Sequence, residues 1–288
     1  MKFLLSGGTG TVGSQVVKGL SEQGKEVHVL THRTENLQKL PKGISGALGN
    51  LSDLHSLTAA VREFERIFLL TPLATNETEL GLNAMRAIVK SACKRLVFLS
   101  IFDVEKGPHV PHFKSKIEIE ADIKRSTIPY TILRPSNFFQ NDFFFRDIIL
   151  KEGIYPQPIG EGRVNRVDVR DIADAAVNPL LQSRFENRTV SLVGPRSWSG
   201  QETAQVYSDL LGRQIKPLSD VTLWGHQARQ QLPAWLVEDL KTMYAFFQRH
   251  GLAAGRKDLE ESEAITGHAM RRFEDFAAEA VKQWRGAL

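Results

Sequence analysis

The sequence holds a single cysteine, Cys93, among 288 residues. One thiol makes no internal disulfide and no metal site by itself, so a reducing compartment and no bound metal are expected. No stretch approaches the roughly eighteen consecutive apolar residues of a membrane-spanning helix. Met1 leads into a strand rather than into a basic segment followed by an apolar one. A cytoplasmic protein with no membrane partner is the expectation. Charge of one sign is scarce too: 37 Lys and Arg against 33 Asp and Glu leave a formal net charge of +4. Without a basic run or a basic stripe interleaved with aromatics, nucleic acid is not an expected partner. Repeats, low-complexity tracts and composition-marked linkers are also lacking. The length suits one large domain or a nucleotide-binding domain with a smaller companion.

What is present is strongest at the start. The apolar run Phe3-Leu4-Leu5 ends in Ser6-Gly7-Gly8-Thr9-Gly10-Thr11-Val12-Gly13, and Val12, Val16, Val17 and Leu20 then share one helical face. Strand, glycine turn and helix follow one another. Glycines three apart let the chain turn tightly, approach a pyrophosphate and pack the helix against its strand. The free N–H groups of the first helical turn suit an anion, so Gly7, Thr9, Gly10, Thr11, Val12 and Gly13 are candidate dinucleotide contacts. A plain tight turn is the alternative, because the spacing is not the G-x-G-x-x-G fingerprint.

The second strand spans residues 25–31 and exits into His32-Arg33. An acidic residue at this place would accept from a ribose 2′-OH, whereas a basic one meets a 2′-phosphate, so NADP(H) is favoured over NAD(H). A solvated loop arginine is the alternative. A short strand at 44–48 precedes a turn holding Asn50 and Leu51 and a helix that Ser52 or Asp53 can cap. Residues 66–70 form a continuous apolar strand closed by Thr71-Pro72. A helix with Leu82, Met85, Ile88 and Val89 on its inner face follows, with Cys93 as a small buried hydrophobe near its end. Residues 96–99 are the fifth strand, ending at Ser100.

This alternation requires a parallel, doubly wound α/β sheet. Its ligand rim would hold Gly7, Arg33, Asn50, Thr71, Pro72 and Ser100. Residues 103–111 read as a loop over that rim, followed by a helix on which His112 and Lys116, four apart, share a face. Lys116 could hold a nicotinamide ribose and His112 could move a proton; a solvated helix with Lys116 paired to Glu120 is the alternative.

The sixth strand, 130–133, ends in Arg134-Pro135-Ser136-Asn137, and most rings of the cluster Phe138 to Phe145 are expected in the core. Further on, Asp171 is the expected N-cap of a helix after the strand near residue 165, with Asp174 three later, both structural. A strand at 189–193, a helix at 200–211 stopped by Gly212, and helices at 221–230, 234–249 and 270–287 complete the reading. Residues 1–150 are thus expected to form a Rossmann-type nucleotide-binding domain. Residues 151–288 would form a smaller, mostly helical substrate-side α+β lobe with strands returning to the first.

Taken together, Ser6 to Gly13, His112-Phe113 with Lys116 and Glu118, Pro129-Tyr130-Thr131-Ile132-Leu133-Arg134-Pro135, Asn137-Phe138 with Asn141, Gly160-Glu161-Gly162-Arg163-Val164, Val167 to Ala173, Thr266-Gly267 and Arg272 to Ala277 resemble the NmrA-like family of atypical short-chain dehydrogenases. The resemblance implies that Gly7, Gly10 and Gly13 hold a pyrophosphate, His32 or Arg33 a 2′-phosphate and Lys116 the nicotinamide ribose. Pro135, Asn137 and Phe138, after the sixth strand, are further candidate cofactor contacts. Three departures stand out. His112 occupies the place of the tyrosine in the Tyr-x-x-x-Lys pair of catalytic short-chain dehydrogenases, His32 stands where members of the family commonly have the first arginine, with Arg33 one later, and Asn50 stands where an acidic residue is often found, with adenine as its contact.

The leading expectation is an NADPH-dependent oxidoreductase of a small apolar acceptor, a quinone, enone or imine, with Lys116 and His112 as the catalytic residues. The second is an NADP(H)-binding redox sensor that addresses a regulatory protein partner, for which the loop 103–111 would be the moving part. An epimerase is disfavoured by the missing tyrosine.

Overall fold

The computed structural model describes residues 1–286. The first half of the chain alternates strand and helix: β1 Lys2–Ser6, α1 Thr11–Glu22, β2 Glu26–Thr31, α2 Thr34–Leu37, β3 Ser45–Leu48, α3 Leu54–Val61, β4 Arg66–Leu69, α4 Glu77–Ile88, β5 Arg95–Leu99, α5 Pro111–Arg125 and β6 Tyr130–Pro135. Short strands and helices follow: β7 Asn137–Phe138, β8 Ile154–Tyr155, β9 Val164–Val167, α6 Val169–Leu181, β10 Arg188–Leu192, β11 Ser197–Trp198, α7 Gly200–Leu211 and β12 Lys216–Pro217. The chain closes with α8 Val221–Ala228, α9 Ala234–His250, α10 Arg256–Thr266 and α11 Phe273–Gly286.

Seven strands form one parallel sheet in the order β10-β6-β5-β4-β1-β2-β3. Both faces are covered, which is why the central strands β1, β4 and β5 read as apolar runs, whereas β2 and β10 toward the edges alternate. Phe3 and Leu5 of β1 point into the layer of α1 and α6, and Leu4 between them into the layer of α3, α4 and α5. The order reverses between β1 and β4, the switch point of a doubly wound Rossmann-type sheet. The strand β10 and the helix α6 both come from beyond residue 150 and complete this sheet and its covering layer.

Around the sheet, β7, β9 and β11 form a small sheet and β8 pairs with β12. One cluster joins α8 and α9 to Phe102, Val104, Val110 and Phe113; another joins α7 and α11 to Phe139, Ile149 and Tyr155. Asp142 and Arg166 are sealed within the second region, and Asp142 also accepts from Tyr207, Tyr155 and Gln157. None of the helices described is long and apolar enough to cross a membrane.

Several expectations are corrected. The cap of α6 is Asp168, whose carboxylate accepts from the Arg170 N–H, because β9 runs only to Val167 and the helix starts at once. Asp171 lies inside the first turn, fully buried and paired with Arg271, and burial pushes its carboxyl up against that pull. In α4, Met85 and Ile88 face inward, but Leu82 is half-buried and Val89 exposed; Leu80, Gly81 and Ala84 complete the inner face. Of the aromatic cluster only Phe139 is fully buried. Phe138 and Phe145 are half-buried, and Phe143 and Phe144 face solvent.

Asp53, rather than Ser52, caps α3. Cys93 is half-buried, and burial pushes its thiol up to about 11. The last helix begins at Phe273 rather than Met270, and its expected end at Ala287 lies outside the described residues. The helix α10 forms where no helix is expected from the sequence. In contrast, α7 starts in a reciprocal cap between Ser199 and Glu202 and stops at Gly212, whose φ of 67° suits glycine.

Candidate functional site

The rim is built from the C-terminal ends of β1 to β6. At the switch point the Ser6 hydroxyl donates to the Leu70 carbonyl at 2.8 Å and accepts from the Leu70 N–H at 2.7 Å, fastening β1 to β4. The chain then turns at Gly7, φ 66°, and the Gly10 N–H closes the turn onto the Gly7 carbonyl at 2.9 Å. A Cβ on Gly13 would sit 2.1 Å from that same carbonyl oxygen, so α1 approaches the turn as only glycine permits. Gly10 caps α1 with no side-chain cap bond, and the first turn carries no acid. The N–H groups of Thr11, Val12 and Gly13 precede the first helical bond, Ser14 N–H to Gly10 oxygen, and the dipole adds positive potential there. Gly7, Thr9, Gly10 and Thr11 are exposed, whereas the Val12 side chain is core and leaves only its backbone to a phosphate. These features fit a dinucleotide pyrophosphate.

At the end of β2, His32 and Arg33 are both exposed and lie together, Arg33 Nε donating to His32 Nε2 at 3.2 Å. The buried Thr31 hydroxyl accepts from the Arg33 N–H and from Asn36, fixing the exit of the strand. Asn50 is exposed and its Oδ1 accepts from the Ser52 N–H at 3.0 Å; Leu51 is half-buried under α3 and α4.

Lys116 does not pair with Glu120. Its ammonium runs inward to β4, where Nζ lies 2.6 Å from Thr71 Oγ1 and 2.7 Å from Glu77 Oε1, above the Phe98 ring. The Thr71 hydroxyl in turn donates to Glu77 Oε1 at 2.6 Å. All three side chains are buried, and Glu77 Oε2 has no hydrogen-bond partner among the described residues. Pro72, next to Thr71, is exposed. Glu77 joins this cluster although its only local sequence signal is that of an acid in the first turn of α4, which the helix dipole alone would explain.

Glu120 serves a different cluster. It accepts from Ser100 at 2.6 Å, from both Nε and Nη2 of Arg134, and from Lys124. Burial works against its charge, but the hydrogen bonds from Arg134, Ser100 and Lys124 prevail and hold the carboxyl below its ordinary value. Ser100 is therefore buried and already committed to this acid.

Across the rim Pro135 is buried and Asn137 and Phe138 are half-buried. Asn137 accepts from Asn141 and donates to Gln157, which reaches the sealed Asp142. His112, at the start of α5, bonds through Nδ1 to Asp239 of α9 at 2.5 Å rather than to any residue of the rim. The structure thus brings Thr71 and Lys116 into contact across 45 positions, and gives His112 a partner from the C-terminal part of the chain. Among the described residues Asp171, Asp174 and His268 converge closely enough to suggest a metal, but the Arg271 guanidinium already pairs with both acids.

The family model for the NmrA-like family matches residues 2–277. The NAD(P)H azoreductase of Xenophilus azovorans is 29% identical over 281 residues, covering 96% of each chain. Among solved structures, an NADPH-dependent quinone oxidoreductase of Escherichia coli in complex with NADPH superimposes with a TM-score of 0.87 at 19% identity, covering 97% of this chain and 99% of that one. NmrA, a negative transcriptional regulator, superimposes with a TM-score of 0.78 at 15% identity over 100% of this chain and 98% of its own. The match runs from the first strand to the last helix, and the chain belongs to the NmrA-like family.

Proposed function

We propose that the protein is an NADPH-dependent reductase of a small, largely apolar acceptor of quinone, enone or imine type. The observation that carries this reading is the buried Lys116 ammonium, held by Thr71 and Glu77 at the end of β4, on the rim that begins with the uncapped glycine turn. The N–H groups after Gly10 would bind the pyrophosphate, and the exposed pair His32 and Arg33 the 2′-phosphate, which favours NADP(H) over NAD(H). Thr71, Pro72, Asn137 and Phe138 would border the nicotinamide half, with Asn50 and Leu51 toward the adenine. A bound reduced nicotinamide supplies a hydride.

The chain's own part is orientation and a proton. Lys116 would donate to the nicotinamide ribose, and because Glu77 compensates its charge, its work is placement more than stabilisation of negative charge. His112 would supply the proton that a phenol supplies in relatives with tyrosine at this place. Quinones and imines ask less of a protein acid than simple ketones do. The relative named as an azoreductase and the fold neighbour named as a quinone oxidoreductase support this acceptor class.

A second reading, a cofactor-sensing regulator without turnover, draws on the replacement of the tyrosine by His112 and on the fold shared with a transcriptional regulator. The segment it would move is anchored, however: Val104 and Val110 are both fully buried against Phe113 and α9. Titration with NADPH, followed by turnover with a panel of quinones, enones and imines, separates the two. Tight binding with no turnover would favour the sensor.

A further inference from the structure

The reductase reading needs a proton donor, and its candidate, His112, has a partner 127 positions away. Its Nδ1 lies 2.5 Å from Oδ1 of Asp239, with the two side chains 11% and 6% exposed. The ring also stands edge-on to Phe113, 4.9 Å between centroids, so its plane is fixed from two sides. The docking of α9 onto α5 has an apolar basis of its own, Phe246 against Phe113 and against His109. The imidazole–carboxylate bond is an addition to that contact rather than its foundation.

Resting on that reading, we propose that Asp239 is a positioning residue that holds His112 as the Nδ1–H tautomer and leaves Nε2 to exchange a proton with the bound acceptor. A carboxylate only accepts, so the nitrogen facing it must carry hydrogen. Nε2 has no hydrogen-bond partner among the described residues. In the reductive step the imidazolium Nε2–H bond breaks and an O–H or N–H bond forms on the acceptor, whose two electrons arrive as the hydride. The ring returns to its neutral Nδ1–H form, still bonded to Asp239, and takes its next proton from water. Asp239 accepts from Nδ1 in both forms of the ring, so only Nε2 gives up and regains its proton.

The test begins with the tautomer, which does not depend on activity. Long-range nitrogen–proton NMR of the ring, assigned by difference against His112→Gln, should show the neutral imidazole protonated at Nδ1. An Nε2–H ring in the wild-type protein would overturn the proposal. Asp239→Asn can offer its NH2 to the ring instead, so part of the population should switch to Nε2–H. With an accepted substrate, kcat should then fall by about 10²-fold or more, with the KM for NADPH unchanged. In the His112→Gln background Asp239→Asn should cost nothing further. An additive loss, or an Asn variant that keeps both tautomer and kcat, would overturn it. If no acceptor is turned over, the reductase reading fails while the NMR result still decides whether Asp239 sets the ring.

Discussion

The ammonium of Lys116 lies 2.7 Å from Oε1 of Glu77, and both side chains are buried beneath the rim of the sheet. Desolvation makes such a pair expensive to break from one side, because the remaining charge has no partner. Lys116→Met and Glu77→Gln should each lose about 3–5 kcal/mol of stability, and the double variant should lose less than the sum of the two. Urea unfolding of the four proteins measures this; strictly additive losses would mean the pair is not formed in solution. The double variant is also the fair control for turnover, since Lys116 replaced alone leaves a buried carboxylate beside the proposed ribose site.

Gly13 tests the proposed phosphate-binding turn. Alanine there would place a Cβ 2.1 Å from the Gly7 carbonyl oxygen, a backbone atom with no freedom to swing aside, so α1 must move away from the turn. Overpacking of this kind costs about 1–3 kcal/mol. NADPH affinity should drop at least tenfold by calorimetric titration, and a Gly13→Ala variant that binds as tightly as the wild type would remove the turn from the site.

Arg33 and His32 test the cofactor preference. Hydrogen bonds to a charged group are worth about 1.5–3 kcal/mol, so Arg33→Ala should weaken NADPH binding by roughly 10-fold to 100-fold while leaving NADH unchanged. Equal loss for both cofactors would show that Arg33 does not meet the 2′-phosphate. Running His32→Ala beside it decides which of the two carries the contact.

How much of this could be read from the sequence follows from what is local. The glycine turn, the face of α1 and the stop at Gly212 declare themselves within a few residues, through periodicity and through φ values that glycine adopts cheaply. Glu77 and Asp239 did not, because each is defined by a partner far along the chain, at Lys116 and at His112. The helix α10 was hidden for another reason: its inner face is Ser262, Ile265 and Thr266, too polar to show a period. Asp168 and Asp171 are both residues that cap helices, and only the end of β9 decides between them.

Glu120 predicts a pH dependence. Its folded carboxyl is held below the ordinary value of 4.5, so the stability it contributes is fully present above pH 4.5 and is lost as pH falls through the lower, folded value. Glu120→Gln should therefore shrink the difference in urea midpoint between neutral and acid solution. An unchanged difference would assign the acid sensitivity to other carboxylates.

The central claim is hydride transfer from NADPH at a site that Lys116 organises. The most direct measurement follows the absorbance of reduced nicotinamide as the protein is mixed with NADPH and a quinone, enone or imine, beside the Lys116→Met/Glu77→Gln variant. The expected result is rapid, protein-dependent loss of NADPH with at least one acceptor, slowed by orders of magnitude in a variant that still binds cofactor. Undiminished turnover in that variant, or tight NADPH binding with no consumption across the whole panel, would contradict the account.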